Sequence, residues 1–436
     1  MEENKKAGLT PGGRTRKFIG KSSKKPTNGS EIPSIEDSVS SNAITVHKNI
    51  RAGARGTYAG AKINLIPDHI MNNSELAEAV KLLPSNYNFE IQKTIWQIEK
   101  NNSKRVALQF PEGLLVYSLI ISDILEKFAN VEIVIMGDVT YGACCIDDFS
   151  AVALGCDFMV HYGHSCLIPV NVTKIKTMYV FVEIGINTQH FVDTIKLNFE
   201  SGTRICLVGV VQFLSSLHFV KKELENEYTI TIPQVKPLSP GEILGCTSPK
   251  LTNIDTIVFL GDGRFHLESI LIHNPDIPAY AYDPYSRKFT REKYDHDEMF
   301  SLRMAAIATA KKANKFGLIL GTLGRQGSPQ VLLDLEERLR SMNKEFVVVL
   351  LSEIFPQKLN LFKDVDCWVQ IACPRLSIDW GYAFNKPLLS PYEVSVALGT
   401  VEWQSVYPMD FYANDSLGSY TPNHGKSIPR KTKVQP

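Results

Sequence analysis

The sequence predicts an α/β fold made of three repeated, small Rossmann-like domains with parallel sheets. Apolar runs of strand length alternate with amphipathic helical segments through the middle of the chain, a pattern typical of parallel sheets covered on both faces. The same strand–loop–helix opening occurs three times, beginning at Arg105, Arg204 and Phe316, about one hundred residues apart. A repeat of this length suits one small domain.

Each repeat continues in the same way after its opening. A second strand follows in VEIVIMGD, YTITIPQ and EFVVVLLSE, a third in CDFMVHYG, IDTIVFLGDG and VDCWVQIAC, and a fourth in TMYVFVEI, IPAYAYD and KPLLSPYE. Short loops with Gly, Pro, Gln or Ser separate strands from helices. Because ligands of such sheets lie beyond the carboxyl ends of the strands, we expect a site in those loops.

The flanking segments differ in composition from the repeats. The predicted organisation is a disordered basic tail at residues 1–60, a helical entry segment at 61–104, α/β repeats at 105–203, 204–314 and 315–409, and a polar C-terminal tail at 410–436. The N-terminal tail is rich in Lys, Arg, Gly, Ser and Pro and cannot bury enough apolar surface to offset the entropy of ordering. Its basic run, residues 14–25, is interpreted as solvated tail rather than a nuclear or nucleic-acid signal.

Charge and hydropathy exclude several classes of protein. The formal net charge is +1, which gives no reason to expect a nucleic-acid partner. No run of eighteen apolar residues occurs, so no membrane span is expected. The N-terminus lacks the apolar core of a secretory signal. We therefore expect a cytoplasmic protein with reduced cysteines, available for metal binding, catalysis or packing.

Three of the eight cysteines are expected to be small buried side chains, because they lie within or beside apolar strands: Cys156, Cys206 and Cys367. Cys166 follows the strand end HYGHSC and its role stays open. His161 and His164 in that segment are candidate metal ligands, or histidines whose ring atoms are satisfied by the protein.

Three other cysteines lie in loops just beyond strand ends, one in each repeat: Cys144, Cys246 and Cys373. Their wide spacing excludes a local zinc ribbon, since no C-x2-C pair exists. Three thiolates that leave one position open suit an iron–sulfur cluster with one iron free for substrate, held centrally between the repeats. Three unrelated loop cysteines remain an alternative, and spacing cannot choose between Cys144 and its neighbour Cys145.

Two glycine-containing loops are candidates for binding a small molecule. In GTLGRQG (Gly321–Gly327) the glycines permit close backbone approach, the following helix N-terminus favours an anion, and Arg325 and Gln326 add polar groups. In GDGRFH (Gly261–His266), Asp262 and Arg264 either bind a ligand or pair with each other. No phosphate-binding GxxxxGK[ST] and no radical-enzyme CxxxCxxC occurs.

Seven segments, in order, resemble the diphthamide biosynthesis protein 1 family: LPSNYNFEIQKTIWQI, QFPEGLL, MGDVTYGACCIDD, HYGHSCLIPV, GDGRFHLES, GTLGRQGSP and ACPRLSIDWG. The resemblance extends over roughly residues 45–425. It implies a subunit of a 2-(3-amino-3-carboxypropyl)histidine synthase with three domains and a [4Fe–4S] cluster on Cys144, Cys246 and Cys373. It also implies that the open iron binds S-adenosylmethionine.

The activity that the resemblance implies is the first step of diphthamide biosynthesis. Reductive cleavage of the Cγ–S bond of S-adenosylmethionine would transfer its 3-amino-3-carboxypropyl group to C2 of a histidine of elongation factor 2. The implied partners are a paralogous subunit 2, in a heterodimer, and a small zinc-ribbon protein that donates electrons. No catalytic residue is assigned beyond the cluster ligands.

The residues expected to bind S-adenosylmethionine are Asp262, Arg264, His266, Gly324, Arg325, Gln326, Arg375 and Asp379. A structural salt bridge is an equal alternative for Arg375 with Asp379, and fold support for Asp262 and His266. Arg325 is either a ligand for the amino-acid carboxylate or a salt-bridge residue. Three other functions remain as alternatives: a Lewis-acid iron–sulfur enzyme like quinolinate synthase, a non-catalytic iron–sulfur scaffold subunit, and a redox-inert α/β binding protein.

Overall fold

The computed structural model describes residues 66–138 and 140–425. The basic tail expected at residues 1–60 lies outside the described residues, as does the last part of the C-terminal tail. The chain enters through α1 (Asp68–Met71), α2 (Ser74–Val80), β1 (Tyr87–Asn88) and α3 (Ile91–Asn101). Helix α3 buries Ile91, Ile95 and Ile98 on one face because these apolar residues recur at helical spacing.

The first sheet covers the segment that begins at Arg105. Its elements are β2 (Arg105–Gln109), α4 (Glu112–Leu115), α5 (Ser118–Ala129), β3 (Glu132–Ile135), α6 (Asp148–Ala153), β4 (Phe158–Tyr162) and β5 (Lys176–Val180). The strand order is β3-β2-β4-β5, with every pair parallel. The chain then passes through β6 (Glu183–Ile184), which pairs antiparallel with β1, and α7 (Thr188–Asn198).

The second sheet begins at Arg204. Its elements are β7 (Arg204–Gly209), α8 (Leu214–Leu224), β8 (Thr229–Thr231), β9 (Thr256–Leu260), α9 (Phe265–His273), β10 (Ala279–Asp283) and β11 (Lys288–Glu292), and α10 (His296–Ala310) follows. The strand order is β8-β7-β9-β10-β11, and only the β10–β11 pair is antiparallel.

The third sheet begins at Lys315. Its elements are β12 (Lys315–Gly321), α11 (Pro329–Ser341), β13 (Glu345–Leu351), α12 (Pro356–Leu359), β14 (Cys367–Ile371), α13 (Pro374–Trp380) and β15 (Leu388–Leu389), followed by α14 (Pro391–Ala397). The order is β13-β12-β14-β15, all parallel. We call each sheet with its helices a unit: first, second and third.

The predicted α/β fold with parallel sheets is confirmed. In all three sheets the strands follow one order, second–first–third–fourth along the chain. Two features were not predicted: the edge strand β11 and the short β1–β6 pair. The sequence KFTRE of β11 is polar and half exposed, so it lacks the apolar run that marked the other strands.

The core is built from the two faces of each sheet. Apolar clusters fill the space between strands and helices, with Val106, Leu207 and Leu318 among the fully buried strand residues. Cys206 and Cys367 are buried in their strands, and Cys156 is buried just before β4. Among the helices of the described residues, none is long and apolar enough to cross a membrane.

The segment that begins at residue 410 packs against the second unit as far as the described chain extends. Thr247 and Asp410 form an antiparallel bridge, and the Phe411 amide donates to the carbonyl of Cys246 at 3.2 Å. Phe411, Tyr412 and Tyr420 are buried. The C-terminal segment therefore contributes buried residues as far as Asn423, although its composition suggested a polar tail.

Candidate metal centre and adjoining cavity

The three loop cysteines converge in space. Cys144 lies in a single 3-10 turn (Ala143–Cys145) beyond β3, Cys246 in the loop between β8 and β9, and Cys373 caps the N-terminus of α13 just after β14. Each thiol lies close enough to the others for its charge to act on them. The three cysteines thus belong to three different units, and each lies beyond the carboxyl end of a strand.

The surroundings of the three cysteines do not stabilise their thiols in the ionised form. Burial raises the pKa of the Cys246 thiol to about 12 and that of Cys373 to about 11. The hydrogen bond with Cys145, together with burial, raises the pKa of the Cys144 thiol well above its usual value. Three adjacent thiols, one of them on a buried residue and two on half-buried residues, lose their protons only when a cationic group compensates the charge, as metal ions do.

The arrangement fits a cluster better than a single ion. No group of three His, Cys, Asp or Glu side chains in the described residues is arranged to hold one metal ion. A [4Fe–4S] cluster does not require such a group, because each thiolate binds a different iron. The residues that surround the thiols are mostly apolar, including Leu167, Leu238 and Phe411, which suits a redox cluster shielded from water.

The Cys144–Cys145 segment is held from two sides. Gln109, at the end of β2, donates from its amide to the Cys145 carbonyl at 3.0 Å. From the third unit, the Arg325 amide donates to the Cys144 carbonyl at 3.0 Å. Gly324 has a φ of +54°, and a Cβ there would lie 2.5 Å from the Cys145 carbonyl oxygen, so only glycine fits. The GTLGRQG loop therefore packs directly on the Cys144 loop.

The guanidinium of Arg325 is engaged by the first unit. It donates to both carboxylate oxygens of Asp148 and lies 4.0 Å above the ring of Phe149. This is the salt-bridge alternative that the sequence left open for Arg325. The neighbouring Gln326 instead directs its amide toward the Cys144 sulfur, at 4.0 Å.

Arg375 is the centre of a buried polar network. It pairs with Asp379 and Glu268, and it donates to the carbonyls of Gly245 at 3.2 Å and Phe265 at 2.7 Å. Since Gly245 precedes Cys246 and Arg375 lies on the helix that Cys373 caps, this side chain joins two of the three cysteine loops. Its guanidinium is thus directed at protein groups, as the salt-bridge alternative expected.

A cavity of about 410 Å³ adjoins the thiols between the first and second units. The segment after β8 contributes Glu242, Ile243 and Leu244, and most of the remaining lining follows β2, β4, β7 and β9, the first and third strands of the first two sheets. Those strands flank the switch point at which doubly wound sheets bind ligands. Ala143 and Leu244 line it as well, which brings the cavity next to Cys144 and Cys246.

The polar lining of this cavity is acidic or neutral. Glu242 is 2% exposed and Asp262 is exposed at the surface of the cavity. Burial lowers the pKa of both His164 and His266 to about 4, so these rings are neutral at pH 7. Among the described residues that line the cavity there is no Lys or Arg. The site therefore suits a ligand with positive charge.

Two of the eight predicted ligand residues line the cavity, and the other six lie outside its lining. Asp262 and His266 line the cavity, whereas Arg264 pairs with Glu268 and Glu292 and lies outside the lining. Gly324, Arg325 and Gln326 contact the Cys144 loop, and Arg375 with Asp379 form the buried network. Of the two candidate metal histidines, His164 lines the cavity, and His161 is buried against Gln109 at 2.9 Å.

Sequence patterns did not single out Glu242, Gln212, Tyr285 or Tyr412. The first three line the cavity. Glu242 lies four residues before Cys246 in PGEILGC, and that proximity is the signal that could have found it. Tyr412 contacts the thiols themselves: burial raises the pKa of its hydroxyl well above the usual value, and the charges of Cys144, Cys246 and Cys373 raise it further.

A family model described as "Putative diphthamide synthesis protein" matches residues 110–408. The chain belongs to this family. The resemblance seen in the seven motifs is therefore confirmed, and the match includes all three cysteine loops and the whole cavity except Tyr87.

Relatives in the diphthamide synthesis family are similar along most of the chain. The Schizosaccharomyces pombe protein named 2-(3-amino-3-carboxypropyl)histidine synthase subunit 1 is 54% identical over 434 residues, 97% of each chain. The human protein of the same name is 58% identical over 370 residues, 84% of each chain. A crystal structure of Dph2 from Pyrococcus horikoshii with a 4Fe-4S cluster has a TM-score of 0.63 and 26% identity, and the match covers 75% of this chain and 94% of that one.

Proposed function

We propose that this chain is the catalytic subunit of a 2-(3-amino-3-carboxypropyl)histidine synthase, which performs the first step of diphthamide biosynthesis. The observation that carries the proposal is the convergence of one thiol from each unit beside an acidic cavity. The name of the relatives and the cluster in the Pyrococcus structure support it. The three units are interpreted as repeated Rossmann-like domains around the cluster.

Cys144, Cys246 and Cys373 would hold the [4Fe–4S] cluster. When bound, the cluster would supply an electron and an open iron site for the sulfonium of S-adenosylmethionine. The chain's own contribution is orientation: the cavity would fix the cosubstrate so that its Cγ–S bond, and not another bond to sulfur, faces the thiols. Glu242 and Asp262 are the groups that would attract its positive charges.

The acceptor in this proposal is a histidine of elongation factor 2. The 3-amino-3-carboxypropyl group replaces the hydrogen on C2 of the imidazole, which leaves as a proton, and methylthioadenosine is the leaving group. The transfer is redox-neutral overall, so the electron used to cleave the Cγ–S bond would be returned when the C2 proton is lost. A paralogous subunit 2 and a small zinc-ribbon electron donor would complete the system, in the cytoplasm, without nucleic acid or membrane. The acidic cavity disfavours the quinolinate-synthase alternative, because a dicarboxylate substrate needs positive charge.

The test begins with purification of the full chain without oxygen. We expect about four irons and four sulfides per chain if one [4Fe–4S] cluster is bound. S-adenosylmethionine should change the EPR spectrum of the dithionite-reduced protein. S-adenosylhomocysteine, which lacks the sulfonium charge, should bind more weakly. A colourless protein, or a spectrum indifferent to S-adenosylmethionine, would refute the proposal.

Transfer is then followed with two isotopic labels. With subunit 2, a reductant and elongation factor 2 present, label in the carboxyl carbon of S-adenosylmethionine should enter elongation factor 2, whereas label in the methyl group should not. Retention of the cluster without any transfer of the carboxyl label would favour a scaffold subunit.

A further inference from the structure

Tyr412 brings a hydroxyl close to the thiols of Cys144 and Cys246. Its side chain belongs to the apolar cluster that also contains Cys144, Cys246, Ala143 and Leu167, and it is 4% exposed. The charges that act on its hydroxyl are those of the three cysteines. The C-terminal segment therefore completes the wall around the thiols.

The main chain of Tyr412 is fixed by hydrogen bonds on both sides. Its amide donates to the hydroxyl of Thr247 at 3.0 Å, next to Cys246. Its carbonyl accepts a hydrogen bond from the side-chain amide of Asn423 at 2.7 Å. Neighbouring residues also pair with the Cys246 loop, so the main chain is fixed beside the thiols, and burial of the ring limits its rotation away from them.

The hydroxyl is buried and makes no well-aligned hydrogen bond among the described residues, and the side chain within its hydrogen-bonding reach is the thiol of Cys144. Buried hydroxyls in native proteins are nearly always paired, so an unpaired one calls for a specific partner. A phenol O–H is a donor, and the atoms around it are sulfurs of a candidate metal centre. The match to the family model ends at residue 408, before Tyr412, so the family match does not include this group.

We propose that the Tyr412 hydroxyl donates a hydrogen bond to a sulfur atom of the cluster assembly and makes that assembly easier to reduce. The inference rests on the proposed function. Reduction adds one electron, and the added negative charge strengthens a hydrogen bond that sulfur accepts. Hydrogen bonds to the sulfurs are among the features that set the reduction potential of iron–sulfur proteins. Tyr412 is thus a residue that tunes the site and does not itself take part in bond breaking.

The test compares the full chain with Tyr412→Phe, which removes one oxygen and keeps the ring. Both are purified without oxygen, iron and sulfide are counted, and the cluster is titrated with dithionite while the EPR signal is recorded. We expect equal cluster content. At a fixed solution potential the ratio of reduced to oxidised protein should fall about tenfold, a shift of about 59 mV to more negative potential for one electron.

A second measurement detects the hydrogen bond itself. Pulsed EPR of the reduced protein in H₂O and D₂O should show an exchangeable proton coupled to the cluster in the wild type, absent in Tyr412→Phe. Tyr420→Phe is the matched control: this tyrosine lies in the same segment, is 4% exposed and also has an unpartnered hydroxyl, but it packs in another apolar cluster. Its potential should equal that of the wild type.

An unshifted potential with the proton signal retained in Tyr412→Phe would overturn the inference. Loss of most iron from that variant would also overturn it, because the hydroxyl would then be needed to hold the cluster. A wild-type chain without any cluster would overturn the proposed function and this inference with it. The two failures are therefore distinguishable by the iron content of the wild type.

Discussion

Arg325 forms a two-point ion pair with the buried carboxylate of Asp148, at 2.8 Å from Nε and 2.7 Å from Nη2. Asp148 begins the helix that follows the Cys144 turn, and Arg325 lies in the loop that packs on that turn. Arg375 has the corresponding position between the loops of Cys246 and Cys373. Arg325 therefore joins the Cys144 loop to the third unit, and Arg375 joins the Cys246 loop to the Cys373 loop.

The ion pair predicts a stability defect in Arg325→Ala. The Asp148 side chain has 0% exposure and Arg325 has 19%. Removing the cation leaves a buried carboxylate without its partner, which should lower the free energy of unfolding by about 3 kcal/mol. Urea denaturation at pH 7.5 measures the change. The matched control is Arg340→Ala, whose pair with Glu336 is exposed on the arginine side (66%) and should cost less than about 0.5 kcal/mol.

The same pair predicts how the defect depends on pH. Burial alone would raise the pKa of Asp148, but the hydrogen bonds and charge of Arg325 hold it below its usual value. A depressed pKa contributes stability that is present above the unfolded value and lost as pH falls through the folded value. The difference between wild type and Arg325→Ala should therefore shrink in acid. If stability is unchanged but S-adenosylmethionine affinity falls tenfold, Arg325 binds the ligand instead.

The cysteine assignment predicts a contrast between loop and strand positions. Cys246→Ala should lose most of the iron, because the shared cluster then lacks one of its three thiolate ligands. Cys206→Ala should keep the iron and cost about 1 kcal/mol of packing, since Cys206 is fully buried among apolar residues. Iron and sulfide analysis with EPR compares the two. A full cluster in Cys246→Ala would remove this residue from the ligand set.

The fold and the cysteine positions could be predicted because their signals are local. Most strands of the three sheets are marked by apolar runs, and each of the three loop cysteines lies in a loop that follows a strand marked in this way. The pair Arg325–Asp148 could not be predicted, because its members are 177 residues apart and neither carries a local pattern. Tyr412 was not predicted for another reason. The aromatic residues around it recur with neither helix nor strand periodicity, so the segment was interpreted as a polar tail.

Neutral histidines in the cavity predict acid sensitivity. The pKa of His266 is lowered to about 4 by burial and the charge of Arg375, below the value of about 6.5 of an unfolded chain. Between these values the unfolded chain binds a proton that the folded chain does not, so stability falls as pH falls from about 6.5 and is unaffected above it. The contribution of His266 should approach about 3 kcal/mol near pH 4.

His266→Gln tests this prediction. Urea denaturation of the cluster-free chain, carried out anaerobically from pH 7.5 to pH 5, should show a shallower loss of stability in the variant than in the wild type. The exposed His218, replaced in the same way, serves as the control and should leave the slope unchanged. Parallel curves for His266→Gln and wild type would mean that His266 titrates normally.

The acidic cavity predicts a role for Glu242 in binding the cosubstrate. This carboxylate is 2% exposed, lines the cavity and accepts a hydrogen bond from the Ser239 amide at 3.0 Å, which fixes its direction. A charge-assisted hydrogen bond that Glu242 accepts from the ammonium group should contribute about 1.5–3 kcal/mol. Glu242→Gln keeps the shape and removes the charge, so it should weaken S-adenosylmethionine binding by about tenfold or more.

Titration of the cluster EPR signal with S-adenosylmethionine measures this affinity at constant cluster content. Burial raises the pKa of Glu242, so wild-type affinity should decrease as the solution is acidified and the carboxylate takes up a proton, whereas Glu242→Gln should show little pH dependence. Asp276→Asn, an exposed acid of the same unit outside the cavity, controls for the general loss of negative charge. Superimposable titrations of wild type and Glu242→Gln would show that the ligand's positive charge is met by another group, and Asp262, which also lines the cavity, would then be the acid to replace.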